Sequence, residues 1–377
     1  VFVRALGEGT DVVEKEMFQV SRFKGAEDTK YSLRPENTAG IVRSFIEQGM
    51  SSWPQPVKLW YFGPQFRADR PQKGRMRQFT QFGYEVLGDD DPATDALTIL
   101  LTKFIFDDCK LGNDIVFEIN TIGSMESRAD VVKAIKTYYQ KQQSKLCDDC
   151  KRRLKTNPLR LLDCKEDSCQ PIKQNAPKIP ELVSESDKKH FKEVLEYLDV
   201  LGIAYELNPY LVRGFDYYTR TTFEVRDKSD TGRQSSLGGG GRYDGLVELY
   251  SGPKTPAIGF SGGVERILAK LQEKEIMAPE QPKPDTLIVA LGQVAKKEAL
   301  KVLKELAQAG MSVTIAPSKE SLKSQLRLAD TLGVTVALVI GEQEVRDGTI
   351  MVRNMVTGSQ KTVKSGILLP TLRKALK

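Results

Sequence analysis

The chain contains a single histidine, His190, among its 377 residues. That scarcity removes whole classes of chemistry, because a Ser-His-Asp triad needs a histidine base and a multi-histidine metal site needs several imidazoles. His190 lies in the charged stretch DKKHFKEV, where an exposed helix surface is its expected place. No G-x-x-x-x-G-K-[ST] run occurs, so a P-loop is absent and any phosphate chemistry must run on arginines. No apolar run approaches the roughly 18 residues of a membrane span, and the opening VFVRALGEGT lacks a signal-peptide layout. A cytoplasmic protein is expected. Organellar targeting stays open because the sequence opens on Val1, where a preceding segment would be invisible.

What is present suggests two or three domains, since 377 residues exceed one ordinary core. The formal net charge of +6 is unevenly placed: from Asp285 onward there are 14 Lys and Arg against 8 Asp and Glu, and the 42 of each sign before it cancel. A solvated lysine-rich surface and a nucleic-acid partner both fit that tail. Two strand-like alternations, VKLWYFGPQFRADRP and RMRQFTQFGYEVLG, flank a short QKG suited to a hairpin tip. DPATDALTILLTKFIF then predicts a helix with Asp91 or Asp95 as its start signal. From 122 to 204 lysine-rich helical stretches broken by TNPLR and NAPKIP look like an insertion, and strand and glycine signals return from 205. A linker over 275–284 precedes alternating strand and helix at 285–377, the rhythm of a small α/β domain with a largely parallel sheet.

Arginines gather where the strands are. Arg67, Asp69 and Arg70 end the first strand, Arg75 and Arg77 open the second, and guanidinium groups fork around phosphate oxygens while staying charged. A solvated hairpin is the plain alternative. On the returning strand Gln81 and Glu85 share one pleat face, and an amide and a carboxylate beside a cationic loop suit a zwitterionic ligand such as an amino acid. The stretch LVRGFDYYTR adds Arg213, Tyr217 and Tyr218; strict alternation would put Tyr218 on the opposite face, so a kink at Gly214 is expected. The glycines 238–241 allow close backbone approach, to a ligand or to a neighbouring strand. Cys147 and Cys150 form C-x-x-C, followed by Cys164 and Cys169 at the looser C-x4-C spacing. These four can hold a structural zinc or remain reduced thiols.

Five ordered blocks, LRPENTAGIVRSFIEQG, GPQFRADRPQKGRMRQFTQFGYEVLG, LVRGFDYYTRTTFEV, GGGGRYDGLVE and AIGFSGGVERIL, resemble the histidyl-tRNA synthetases, class II aminoacyl-tRNA synthetases. The resemblance implies an α+β catalytic domain on an antiparallel sheet flanked by helices (1–121 and 205–274), a helical insertion (122–204) and a C-terminal α/β anticodon-binding domain (285–377). It implies ATP-dependent ligation of histidine to its tRNA, with Mg²⁺ on the ATP phosphates, by a homodimer. It places Glu36, Thr38 and Gln81 at the histidine amino group, Glu85 with Tyr217 and Tyr218 at the imidazole, Arg67, Asp69, Arg75 and Arg266 on ATP, and Arg67 and Arg213 at the reacting centre. Asp69 stands where the family more often has glutamate, and most of the family's first motif would lie before Val1, which puts an exposed sheet edge and weakened dimerisation among the expectations. Two rivals share the resemblance: a synthetase-like regulatory subunit of ATP phosphoribosyltransferase, and a non-catalytic RNA-binding paralogue.

Overall fold

A computed structural model describes residues 1–7, 10, 12–20, 31–68, 74–229, 236–279, 282–319 and 321–376. The chain divides into two compact units, Val1–Met277 and Ala278–Lys377. No helix among the described residues is long and apolar enough to cross a membrane.

The first unit is organised by a seven-stranded sheet. Its strands are β1 (Val57–Phe66), β2 (Gln78–Leu87), β3 (Ile115–Thr121), β4 (Tyr205–Leu207), β5 (Thr219–Asp227), β6 (Ser236–Arg242) and β7 (Ala257–Gly263). They lie in the order β1-β2-β7-β6-β5-β3-β4, antiparallel throughout except for the β3/β4 pair. The β1/β2 hairpin pairs in register from Val57 opposite Leu87 to Phe66 opposite Gln78, as the two alternating runs predict. Its expected QKG tip lies mostly outside the described residues.

Alternation sorts the side chains of this sheet. One face is aromatic: Tyr84, Phe223 and Phe260 are buried there with Val225, and the rings of Phe223 and Phe260 stack at 6.1 Å. A buried ring of this size contributes about 1.5–3 kcal/mol relative to exposure. Against this face pack the helices Pro92–Asp108 and Glu185–Val200 (α1 and α2), through Ile99, Phe106, Phe191, Val194 and Leu198. Gly238 and Gly240 on β6 leave room here, since a methyl group at Gly240 would strike the Gly259 carbonyl and approach the Phe223 ring. Strand packing therefore explains two of the four consecutive glycines. The opposite face carries Gln81, Gly83 and Glu85 of β2, Gly259 of β7, Gly239 and Gly241 of β6 and Glu224 of β5, all joined by direct cross-strand pairing. Glycine takes four of these seven positions.

Asp91 is the start signal of α1: its side chain accepts from the Ala93 amide at 2.8 Å, with Pro92 in the first turn. Asp95 instead is fully buried and pairs with fully buried Arg242 at 2.6 Å. The same guanidinium donates to the carbonyls of Asp89 and Asp91. His190 also departs from expectation. It is buried rather than exposed, 3.8 Å from Asp95. Burial, with Arg242 and Arg220 nearby, pushes its pKa down to about 4, so it sits in the core as a neutral ring. Lys189 and Lys192 beside it are exposed on the outer side of the same helix, while Asp187 is buried with it, which is why the local composition misleads.

The second unit has strands β8 (Thr286–Ala290), β9 (Val313–Ile315), β10 (Val336–Ile340), β11 (Thr349–Asn354) and β12 (Gln360–Lys364) in the order β9-β8-β10-β11-β12. The first three are parallel, but β11 and β12 return as an antiparallel meander. The sheet is mixed rather than largely parallel, because the connections over 341–348 and 355–359 are too short for a parallel crossover.

Removing Arg242 would strand Asp95 as an unpaired buried acid. Arg242→Met should lower unfolding free energy by about 3–5 kcal/mol, read as a shifted urea midpoint at unchanged slope. A loss within 1 kcal/mol (about the level of a surface pair) would mean the buried pair does not hold the α1 start against β6.

Candidate active site

The site stands on the glycine-rich face. Glu85 is buried at its centre, with Thr38 donating to one oxygen and Tyr243 to the other, both at 2.7 Å. Gly259 lies directly opposite on β7, and any methyl group there would overlap the Glu85 carboxylate. Burial, with Glu36 nearby, pushes Glu85 from its ordinary 4.5 up to about 8, against the pull of its hydroxyl donors. A rise of that size amounts to on the order of 4–5 kcal/mol against the charged form.

Glu36 is buried beside it at the entry to the helix Thr38–Glu47. One oxygen accepts from the Ala39 amide at 3.0 Å; the other is buried without a protein partner. Burial lifts Glu36 to about 7, opposed by the Thr38 and Ala39 amides and by Arg67. Four residues before Glu85, on the same face of β2 and nearer the Arg67 end of the hairpin, the Gln81 carbonyl oxygen is likewise buried and unpartnered. Two orphan acceptors beside a carboxylate make a socket for a donor-rich cation, which an α-ammonium group satisfies.

The loop before β5 closes the pocket. Residues 211–218 form no strand, and β5 begins only at Thr219 with an irregular register to Thr222, so no kink at Gly214 is needed to bring Tyr217 and Tyr218 together. Their rings pack at 4.7 Å, and Tyr217 meets Tyr243 edge-on at 5.8 Å. Arg213 lies with its guanidinium 5.6 Å over the Tyr218 ring and donates to Glu224 at 2.5 Å. It occupies the space above Gly239, where a methyl group would strike it. Its Nε is buried without a partner.

The other arginines rim the pocket. Arg67 donates to the Pro35 carbonyl at 2.9 Å and spreads between the rings of Phe79 and Phe215, at 5.1 and 5.7 Å. Arg266 is tethered by the carbonyls of Gly74 and Ser236, at 2.9 and 2.6 Å. Arg75 is exposed at the start of the returning strand. Asp69 lies outside the described residues, as does Arg70. The structure thus brings together Glu36, Thr38, Glu85, Tyr217, Tyr218 and Arg213 through shared partners. It also adds three residues that the sequence reading did not assign. Tyr61 stands over Gly83 and raises no sequence signal beyond alternation along β1; Tyr243 lies within the glycine block, and Glu224 in the middle of an unremarkable strand.

Comparison with known proteins settles the family. A family model described as Histidyl-tRNA synthetase matches residues 1–267, and one described as Anticodon binding domain matches residues 285–375. The chain belongs to the histidyl-tRNA synthetase family. A histidine-tRNA ligase of Dehalococcoides mccartyi is 41% identical over 377 residues, covering 100% of this chain and 89% of the relative. The crystal structure of the apo Staphylococcus aureus histidyl-tRNA synthetase superposes with a TM-score of 0.73 at 36% identity, covering 94% of this chain and 86% of that one. A Bacillus halodurans structure named as an ATP phosphoribosyltransferase regulatory subunit/histidyl-tRNA synthetase shares the fold, at 19% identity and a TM-score of 0.55, covering 90% of this chain and 86% of that one. Its likeness bears on fold alone, so the regulatory reading is not favoured. The α+β architecture implied by the five sequence blocks is the histidyl-tRNA synthetase architecture.

The pKa of Glu85 has a measurable sign. A carboxyl raised from 4.5 to about 8 on folding binds its proton more tightly in the native state. Its stabilising contribution is complete below the unfolded value and is lost as pH rises through the folded one. Glu36 adds a slope of the same sign up to about 7. Ligand-free Glu85→Gln should therefore lose less thermal stability than the parent between pH 5 and 8 (roughly the window between the two states' values). Identical slopes for the two proteins would show that Glu85 is not buried as a neutral acid.

Proposed function

We propose that this chain ligates L-histidine to histidine tRNA through a histidyl-adenylate, with MgATP as co-substrate. The observation that carries the reading is the pocket itself: orphan acceptors of Glu36 and Gln81 for an ammonium, and Glu85 with its hydroxyl donors for an imidazole N–H, under a lid of Tyr217 and Tyr218. In the first step a carboxylate oxygen of histidine attacks the α-phosphorus, the bond to the bridging oxygen breaks, and magnesium pyrophosphate leaves. In the second, a terminal ribose hydroxyl of the tRNA attacks the acyl carbon and AMP departs. Charge is concentrated in the first step, so fixed cations supply most of the stabilisation. Arg67 is assigned to the α-phosphate and substrate carboxylate, Arg213 to the same reacting centre, and Arg75, Asp69 and Arg266 to the remaining ATP groups. The separate basic unit from Ala278 onward binds the anticodon. The reading includes a homodimer, supported by the exposed stripe Leu97, Leu101 and Phe104 on α1, and a cytoplasmic setting where the tRNA is charged. No step passes through Cys147, Cys150, Cys164 and Cys169, so zinc held there is structural.

Two experiments test this. Histidine-dependent ATP–pyrophosphate exchange should be present, and Arg213→Ala should slow adenylate formation by roughly 10² to 10³ at saturating substrates, the range for one preorganised donor. Arg213→Lys should recover part of the rate, since it restores charge without the planar fork. A wild-type burst in Arg213→Ala would assign Arg213 to structure, and absence of exchange in the parent would favour a non-catalytic role.

Ending the chain at Met277 removes the second compact unit whole. The remaining unit should retain exchange activity while tRNA aminoacylation collapses. Loss of both, in a protein with native circular dichroism, would mean that the tail supports the catalytic pocket as well.

A further inference from the structure

Four of the five cysteines converge on one point. The sulfurs of Cys147, Cys150, Cys164 and Cys169 all lie within 4.8 Å of one another, with Cys147 and Cys164 at 3.9 Å. All are free thiols, and three of the four are buried. A disulfide needs about 2.05 Å between sulfurs. A tetrahedral ion bound at about 2.3 Å spaces them by about 3.8 Å. The surrounding backbone is built to donate to sulfur: the Cys150 amide points to Cys147 Sγ and the Cys147 amide to Cys169 Sγ, each at 3.4 Å. Gln170 ties the second pair closed by donating to the carbonyls of Cys164 and Glu166.

The segment enclosed by the two pairs reaches the active-site loop. Asn157 donates to the Asp216 carboxylate at 2.5 Å, and Arg160, paired with Asp163 at 3.3 Å, lies close to Gly214. Gly214 and Asp216 alternate with Arg213, Phe215 and Tyr217 in the loop that closes the pocket. Leu154, Leu159, Leu161 and Leu162 belong to the same core as Tyr217 and Tyr218. Arg128, from the helix Met125–Gln140, completes the clamp on the carbonyls of Asp216 and Tyr218.

We propose that the four thiolates bind one zinc ion, and that this ion fixes residues 151–163 as the support on which the Arg213–Tyr218 loop is held. Asn157 is the positioning residue between metal and pocket. The positioning half rests on the reading of the pocket as a histidine site; the metal half does not.

The full chain, purified without added metal, should carry one zinc by mass spectrometry and show only Cys109 as readily titratable. Cys109→Ser should keep the zinc and Cys164→Ser should lose it. Iron with visible absorbance, or a metal-free native protein with five reactive thiols, overturns the metal assignment. Stripping zinc with a strong chelator should raise the histidine KM in the exchange reaction by about 10-fold, the scale on which outer partners of a metal site act, with the ATP KM unmoved and recovery on adding zinc. Asn157→Ala should retain zinc and reproduce the histidine-selective loss. A stripped protein with unaltered histidine KM, or an Asn157→Ala protein with parental kinetics, overturns the coupling. Zinc-loaded parent protein without histidine-dependent exchange would overturn the functional reading and, with it, the positioning half, while leaving the metal count standing.

Discussion

The pocket depends on one burial: a carboxylate, Glu85, set into the middle of an antiparallel sheet and held by hydroxyl groups. Two oxygens accepting from Thr38 and Tyr243 are stabilised, but hydroxyl donors return less than the water they replace, and the acid stays largely protonated without a ligand. On the proposed reading, that cost is the source of selectivity. A ligand bringing an N–H donor to Glu85 and an ammonium to Glu36 relieves it, whereas an apolar side chain of similar size leaves the buried acceptors unpaired. The neighbouring strands accommodate this arrangement by giving up side chains. Gly259 makes room for the carboxylate and Gly239 for Arg213, so the same glycine face admits both a buried acid and a guanidinium.

The cations are held ready rather than free. Arg67 and Arg266 donate to backbone carbonyls, and Arg213 leans on Glu224. A carbonyl is a good holding partner for such a group, since it orients the fork without cancelling its charge. Glu224 is different, because a full anion sits on Arg213. Burial raises the Glu224 pKa while the Arg213 guanidinium opposes that rise, so the pair is a balance between desolvation and attraction. A phosphate or carboxylate arriving at Arg213 competes with Glu224 for one face of the guanidinium, and the Tyr218 ring on the other side keeps it from swinging away.

How much of this was legible depended on whether the signal was local. Period-two alternation placed β1 and β2 and put Gln81 and Glu85 on one face, because a sheet's pleat is fixed by backbone geometry alone. Asp91 and Asp95 both stood as start signals for α1, and the capping contact falls on Asp91. The partnerships were not legible. Asp95 and Arg242 are ordinary charges until folding buries them against each other, and His190 sits among lysines in sequence yet faces inward, because a helix shows a different neighbour every 100°. Tyr243 was hidden by its own context, since the glycines before it draw attention to the backbone. The four cysteines show the converse. Their C-x4-C half was too loose to argue from spacing, yet the intervening turn brings the sulfurs to a common centre.

The placement of that centre bears on why the chain tolerates an irregular loop in the middle of its chemistry. Residues 211–218 have no strand ladder of their own, so their backbone must be fixed by other means. Asn157 and Arg128 supply side-chain hydrogen bonds, and the tyrosines supply packing against leucines of the 151–163 segment. A support of that size has little core of its own, and short domains of this kind gain stability from a cross-link far more cheaply than from additional apolar surface. Four thiols converge at its two ends, and the zinc proposed there would be such a cross-link, placed beside the loop that carries Arg213 rather than on the sheet.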